Sequence, residues 1–121
     1  MILKTEYEKI ESYVTKDGSI IRELLHPSVH GNSNQSLAEA TVPVGGKTLL
    51  HKHRITEEIY HVTEGRGIMT LGSEEFRVKK GDSICISPGT PHRIQNIGNT
   101  SLKILCCCAP VYSHEDTELL E

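Results

Sequence analysis

The run His51-Lys52-His53-Arg54-Ile55-Thr56-Glu57-Glu58 decides how this chain is read. His51 and His53 are two apart, so on a β-strand both imidazoles leave from the same face. A carboxylate follows within the run. A third imidazole arrives from a distant stretch, Ser87-Pro88-Gly89-Thr90-Pro91-His92. Together His51, His53, Glu58 and His92 make a donor set for one divalent transition metal per subunit, which Fe, Mn, Ni, Cu and Zn would all accept. If the four converge, metal chemistry is the function and the remaining residues are its scaffold.

Outward from that run, turn signals come at short intervals: Asp17-Gly18, the stretch 30–34, Gly45-Gly46, Gly65-Arg66-Gly67, Gly72-Ser73, Lys80-Gly81-Asp82, Pro88-Gly89 and the stretch 96–99. Between them lie short aliphatic or β-branched runs at 19–25, 37–42, 47–53, 58–63, 68–71, 76–78, 83–86, 93–95 and 102–109. This spacing predicts an all-β barrel or sandwich built from antiparallel hairpins. Helix is scarce. Residues 5–13 are expected to form a single turn or an extra strand, and the tail 111–121 either a short helix capped by Ser113 or a loose acidic end. The stretch 26–35 is the longest loop.

With 121 residues the chain suits one domain with one core. It holds four Tyr, one Phe and no Trp, so the core must be aliphatic. A net charge of -3 with no basic block gives no reason to expect nucleic-acid binding. No apolar run reaches the ~20 residues of a membrane span, and the first residues lack the pattern of a signal peptide, so a cytoplasmic protein is expected. Cys106, Cys107 and Cys108 are consecutive. Neighbours on a strand face opposite ways, so the run is neither a disulfide framework nor a structural zinc site. The histidines His26, His30, His61 and His114 are read as non-ligands. His61 follows Tyr60 on a strand whose ligand face carries Glu58, Tyr60 and Val62, so alternation turns it outward.

Residues 45–65 resemble the first motif of the cupin superfamily: Gly45, then His51-Lys52-His53, Glu58 and Gly65. The gap of six residues before Gly65 selects Glu58 over Glu57. Residues 81–96 resemble the second motif, with Gly81, Ser87 where the motif has its first Pro and Pro88 directly after it, then Gly89, His92 and Asn96. The resemblance extends across the chain as a single-domain cupin, 1–121, with a metal-binding core at 45–96, an N-terminal strand arm at 1–25 and the tail at 111–121. It implies an all-β double-stranded β-helix (a jelly-roll barrel), similar to the barrel of phosphomannose-isomerase-like proteins. It also implies a homodimer, expected to have the apolar outer face of the barrel at its centre, and the exposed strand edges of an open barrel make residues 1–25 a candidate strand for the partner subunit.

Tyr60 and Cys107 are the candidate pocket residues. Tyr60 lies two beyond Glu58 on the ligand face. Patterning alone puts Leu102, Ile104, Cys106 and Cys108 inside. Resemblance to small single-domain cupins implies the opposite phase, with Leu105 and Cys107 inside, and that phase is the expectation here. Ala38 and Ala40 leave volume near the metal. For function, the first expectation is a metalloenzyme whose ion acts as a Lewis acid in isomerase or lyase chemistry on a small carbonyl or sugar-like molecule. The alternatives are a dioxygenase of a small chelating substrate and a non-catalytic small-ligand binder. No catalytic base is identified.

Overall fold

The computed structural model describes residues 2–121. A single 3-10 turn at Tyr7–Lys9 precedes β1 (Tyr13–Val14) and β2 (Ile20–Leu25). The short helix α1 (Pro27–His30) interrupts the long loop before β3 (Ser36–Val42). Then follow β4 (His51–His53), β5 (Glu57–Glu64), β6 (Arg66–Leu71), β7 (Glu74–Lys79), β8 (Ser83–Ile86), β9 (His92–Asn96), β10 (Leu102–Ala109) and β11 (Thr117–Leu119). They form a six-stranded sheet in the order β1-β2-β3-β10-β5-β8 and a five-stranded sheet in the order β11-β4-β9-β6-β7. Every named pairing is antiparallel. The chain is therefore the all-β double-stranded β-helix that the motifs imply.

The core between the sheets is aliphatic, as the composition requires. Val62, Met69, Ile94 and Leu102 are fully buried, with Val42, Ile86 and Ile104 almost so. Strands β3 and β10 alternate: each buries every second residue and leaves the others at least partly exposed. That period of two is what a sheet with one face on the core demands. Gly65 turns β5 into β6 with φ of 85°, and a Cβ there would sit 2.8 Å from the Ser101 carbonyl oxygen. Only glycine meets both conditions. Asn96, the last residue of the second motif, donates from Nδ2 to the Val42 and Thr100 carbonyls and accepts the Gly98 N–H. It thereby ties the β9–β10 turn to the end of β3.

Two expectations are corrected. Strand β10 takes the phase that patterning gives: Cys106 and Cys108 are buried, whereas Leu105 and Cys107 are only partly covered on the outer face. Burial of Leu102 and Ile104 fixes that phase, because a shift by one would expose both. Secondly, the only α-helix among the described residues lies in the loop, with Pro27 at its first turn, His26 Nδ1 accepting the Ser28 N–H at 3.1 Å, and Gly31 closing it. The tail is neither helix nor loose end: Thr117–Leu119 pair with β4. Within the N-terminal arm, β2 pairs with β3, Ile20 opposite Thr41 and Ile21 opposite Ala40, and β1 lies at one edge of the six-stranded sheet. Among the described residues no helix is long and apolar enough to cross a membrane.

Candidate metal centre

Strand β4 is three residues long and presents His51 and His53 to the interior with Lys52 between them, half-exposed. His92 opens β9 directly opposite His51. Glu58 comes from β5 in the other sheet, so the four residues bridge the two sheets at one end of the barrel. The Pro88-Gly89 turn is tied to this end by the Gly89 N–H, which donates to the His53 carbonyl at 2.7 Å. The three imidazoles each offer a nitrogen within 4.8 Å of the others. All three rings and Glu58 are buried.

The tautomers follow from the neighbours. His51 Nδ1 lies 2.7 Å from the Leu49 carbonyl and His92 Nδ1 lies 2.9 Å from the Thr90 carbonyl. A carbonyl only accepts, so both Nδ1 atoms carry the proton. His53 Nδ1 lies 3.0 Å from Thr117 Oγ1, whose own hydrogen goes to the Ser113 carbonyl at 2.8 Å. Here too Nδ1 must donate. Three Nε2 lone pairs therefore point inward, and each outer N–H is fixed by the protein, the arrangement that orients imidazoles toward a metal.

Glu58 Oε1 completes the set, 3.1 Å from His53 Nε2 and 3.5 Å from His92 Nε2. Its other oxygen, Oε2, accepts the Cys108 thiol at 3.4 Å. Burial by itself would raise the Glu58 carboxyl, but the adjoining His53 and His92 outweigh it and hold the group at about 2. His51 is pushed down, first by burial and then by His92, which keeps it neutral. Burial pushes the Tyr60 hydroxyl and the Cys106 and Cys108 thiols well up, so all three stay protonated. His92 Nε2 is buried and has no hydrogen-bond partner. An orphaned lone pair beside a carboxylate oxygen is costly unless a cation sits between them. The residues present thus fit a divalent metal ion.

The centre opens into a narrow cavity of about 40 Å³. Tyr60 lines it as expected, with its ring 6.0 Å from that of His92, and so do Ala38 and Ala40. Cys106 and Cys108 take the place expected for Cys107. Arg54 and Arg93 turn away: Arg54 donates to the Glu115 carbonyl and Arg93 pairs with Glu121 at 3.4 Å. His61 meets Ser83 on the outer surface, and His26 caps α1 while contacting the Tyr112 carbonyl. Sequence reasoning missed several residues of the site. Thr117 holds His53, and Tyr112 packs edge-on at 5.7 Å from the His53 ring. Asp17, Tyr13 and Glu23 come from the β1–β2 hairpin and line the cavity. Their signal was a turn and a strand, with nothing in the spacing to link them to residue 51.

With fold and donor set established, the chain belongs to the cupin family: residues 38–108 match the family model described as "Cupin domain". An uncharacterized protein of Methanocaldococcus jannaschii is 69% identical over 120 residues, 99% of this chain and 96% of that protein. An oxalate-binding protein of Thermotoga maritima is 33% identical over 82 residues, 68% of each chain. Among solved structures, the oxalate decarboxylase of Lactobacillus farciminis in its formate complex superposes with a TM-score of 0.80 at 22% identity. That match covers 93% of this chain but 34% of the decarboxylase, and it speaks for the shared fold alone.

Proposed function

We propose that this protein is a mononuclear metalloenzyme that binds one divalent transition metal on His51, His53, Glu58 and His92 and acts on a small carbonyl or sugar-like molecule. The observation that carries the metal is the set of three inward Nε2 lone pairs, each fixed by an outer N–H bond, with His92 Nε2 buried and unpartnered. When bound, such an ion supplies Lewis-acid polarisation of a substrate oxygen. The chain's own part is to orient and to exclude water. Leu49, Thr90 and Thr117 fix the rings, and Cys108 fixes Glu58. Tyr60, protonated and lining the cavity, is a donor for a substrate oxygen and not a base. Isomerase or lyase chemistry is the reading preferred.

A second reading, ligand binding without turnover, is favoured by the Thermotoga maritima relative described as oxalate-binding. Against a transfer of that ligand stands the cavity wall, where among the described residues no Lys or Arg appears. We also propose a homodimer. Leu37, Cys107, Ile59 and Cys85 stand opposite one another across β3, β10, β5 and β8. All four lie on the outer face, Ile59 at 43% exposure, and form an apolar stripe suited to a second copy.

The test is elemental analysis and electron paramagnetic resonance of protein purified without a chelating column, with oxygen uptake measured on enols, thiols and catechols. His51→Ala and Glu58→Ala are each expected to lower metal content sharply while circular dichroism stays that of the folded barrel. His61→Ala is the control and should keep its metal. Metal retained by His51→Ala would overturn the assignment. Substrate-dependent oxygen consumption would move the reading to an oxygenase.

A further inference from the structure

We propose that Asp17 is a fifth protein donor to the same ion, making the centre three imidazoles and two carboxylates; this rests on the metal reading above. Asp17 sits in the turn between β1 and β2. That turn is closed by the Thr15 N–H on the Ser19 carbonyl at 3.0 Å and the Gly18 N–H on the Thr15 carbonyl at 3.0 Å. It is fastened to the metal-bearing segment by the Leu49 N–H, which donates to the Asp17 carbonyl at 2.7 Å. Leu49 is also the residue whose carbonyl holds the His51 ring. Turn and imidazole are thus set by one short stretch of backbone.

The carboxylate is divided in its duties. Oδ1 accepts both the N–H and the hydroxyl of Ser19, at 2.9 and 2.7 Å. Oδ2 is left facing the cavity, 3.4 Å from His51 Nε2, on a side chain only 12% exposed. His51 carries its proton on Nδ1, so two lone pairs confront each other across 3.4 Å. A cation between them removes the conflict. The spacing matches that of the donor already assigned: Glu58 Oε1 stands 3.1 and 3.5 Å from His53 and His92 Nε2. Two donors side by side on one ion, each at about 2.1 Å, lie about 3 Å apart. Asp17 stands to His51 as Glu58 stands to the other two rings.

Two consequences set the class of substrate. Two carboxylates neutralise a divalent ion, so the centre gains little by attracting an anion. Five protein donors leave one open position on a six-coordinate ion, so a substrate binds through one oxygen and not as a chelate. The cavity wall agrees, because it carries Asp17, Glu23 and Glu58 with no cationic side chain among the described residues. The substrate class is an uncharged carbonyl or hydroxyl compound. A chelating dianion such as oxalate must displace Asp17 to bind.

The experiment uses the full chain stripped of metal, titrated with Mn2+ against a fluorescent chelator, followed by oxalate titration of the loaded protein and its electron paramagnetic resonance spectrum. Asp17→Asn keeps the acceptor for Ser19 and removes the anionic donor. It is expected to bind Mn2+ at least tenfold more weakly than wild type, with an altered spectrum, and to bind oxalate at least tenfold more tightly once loaded. Asp17→Glu, which restores a carboxylate, should recover part of the Mn2+ affinity, and Glu64→Gln on the exposed end of β5 should change nothing. Unchanged Mn2+ affinity and spectrum in Asp17→Asn, with metal bound in wild type, overturns the fifth donor alone. If Asp17→Asn fails to fold, tight oxalate binding by loaded wild type overturns the proposal, and weak binding by wild type that is relieved in Asp17→Ser supports it. Wild type that takes up neither Mn2+, Zn2+ nor Cu2+ overturns the metal centre and this proposal with it.

Discussion

Each candidate donor's chemistry depends on an atom outside the centre. His53 shows this most directly, because its Nδ1 proton rests on Thr117 Oγ1. Thr117→Val removes the acceptor and lets the ring choose the other tautomer. Metal affinity should fall by about 10–100-fold, read by chelator competition, with His53 itself intact. Protonation of the metal-free protein follows with a definite sign. His51 is held below its ordinary 6.5, so unfolding lets it take up a proton, and stability declines as the pH drops below 6.5. Glu58 works lower down. Held below its ordinary 4.5 by His53 and His92, it contributes stability that is lost as the pH falls toward about 2. Urea unfolding of chelator-treated protein between pH 8 and 3 should show the first decline near 6.5; a flat profile from 8 to 5 would contradict the neutral, buried His51. The four candidate donors were legible in the sequence because strand alternation and motif spacing constrain them jointly. Asp17 was not, since an Asp-Gly turn reads the same whether its carboxylate faces solvent or a cavity.

At the scale of elements, the least legible strand does much of the positioning. Thr117–Leu119 carry no hydrophobic alternation long enough to mark a strand, and their pairing exists only because β4 offers an edge. Asp116 fixes the approach: its carboxylate accepts the Ile55 and Thr56 N–H groups at 2.9 and 3.1 Å, and its carbonyl accepts the Arg54 N–H. Asp116→Ala leaves the buried Thr56 N–H and the part-buried Ile55 N–H without their partner, and a loss of about 1–3 kcal/mol in stability is expected in chemical denaturation. Strand β10 teaches the opposite lesson. Its alternation already stated the answer through Leu102 and Ile104, and the expectation for Cys107 failed because resemblance was allowed to override burial. On β6, Gly67 marks how closely the sheet packs. A Cβ there would lie 2.5 Å from the Gln95 carbonyl oxygen, on backbone that cannot swing aside. Gly67→Ala should cost about 1–3 kcal/mol in thermal or urea unfolding and weaken metal binding by displacing β9.

For the whole molecule, the expected species in light scattering is twice 13.4 kDa, held by the outer stripe of β3, β10, β5 and β8. Ile59→Lys should shift it to one subunit without loss of metal, since the stripe lies on the face of the sheet opposite the centre. The barrel's topology also has a consequence for how the protein is made. His51, His53, Glu58 and His92 are all synthesised before β10, yet β4 gains its long pairing only from β11, and His53 its tautomer only from Thr117. A nascent chain therefore carries every ligand well before it carries the strand that orients them. The site cannot take its final form until Thr117 has cleared the ribosome, so any metal held there would be captured only after Thr117 has joined the fold, from the ions present where that step occurs.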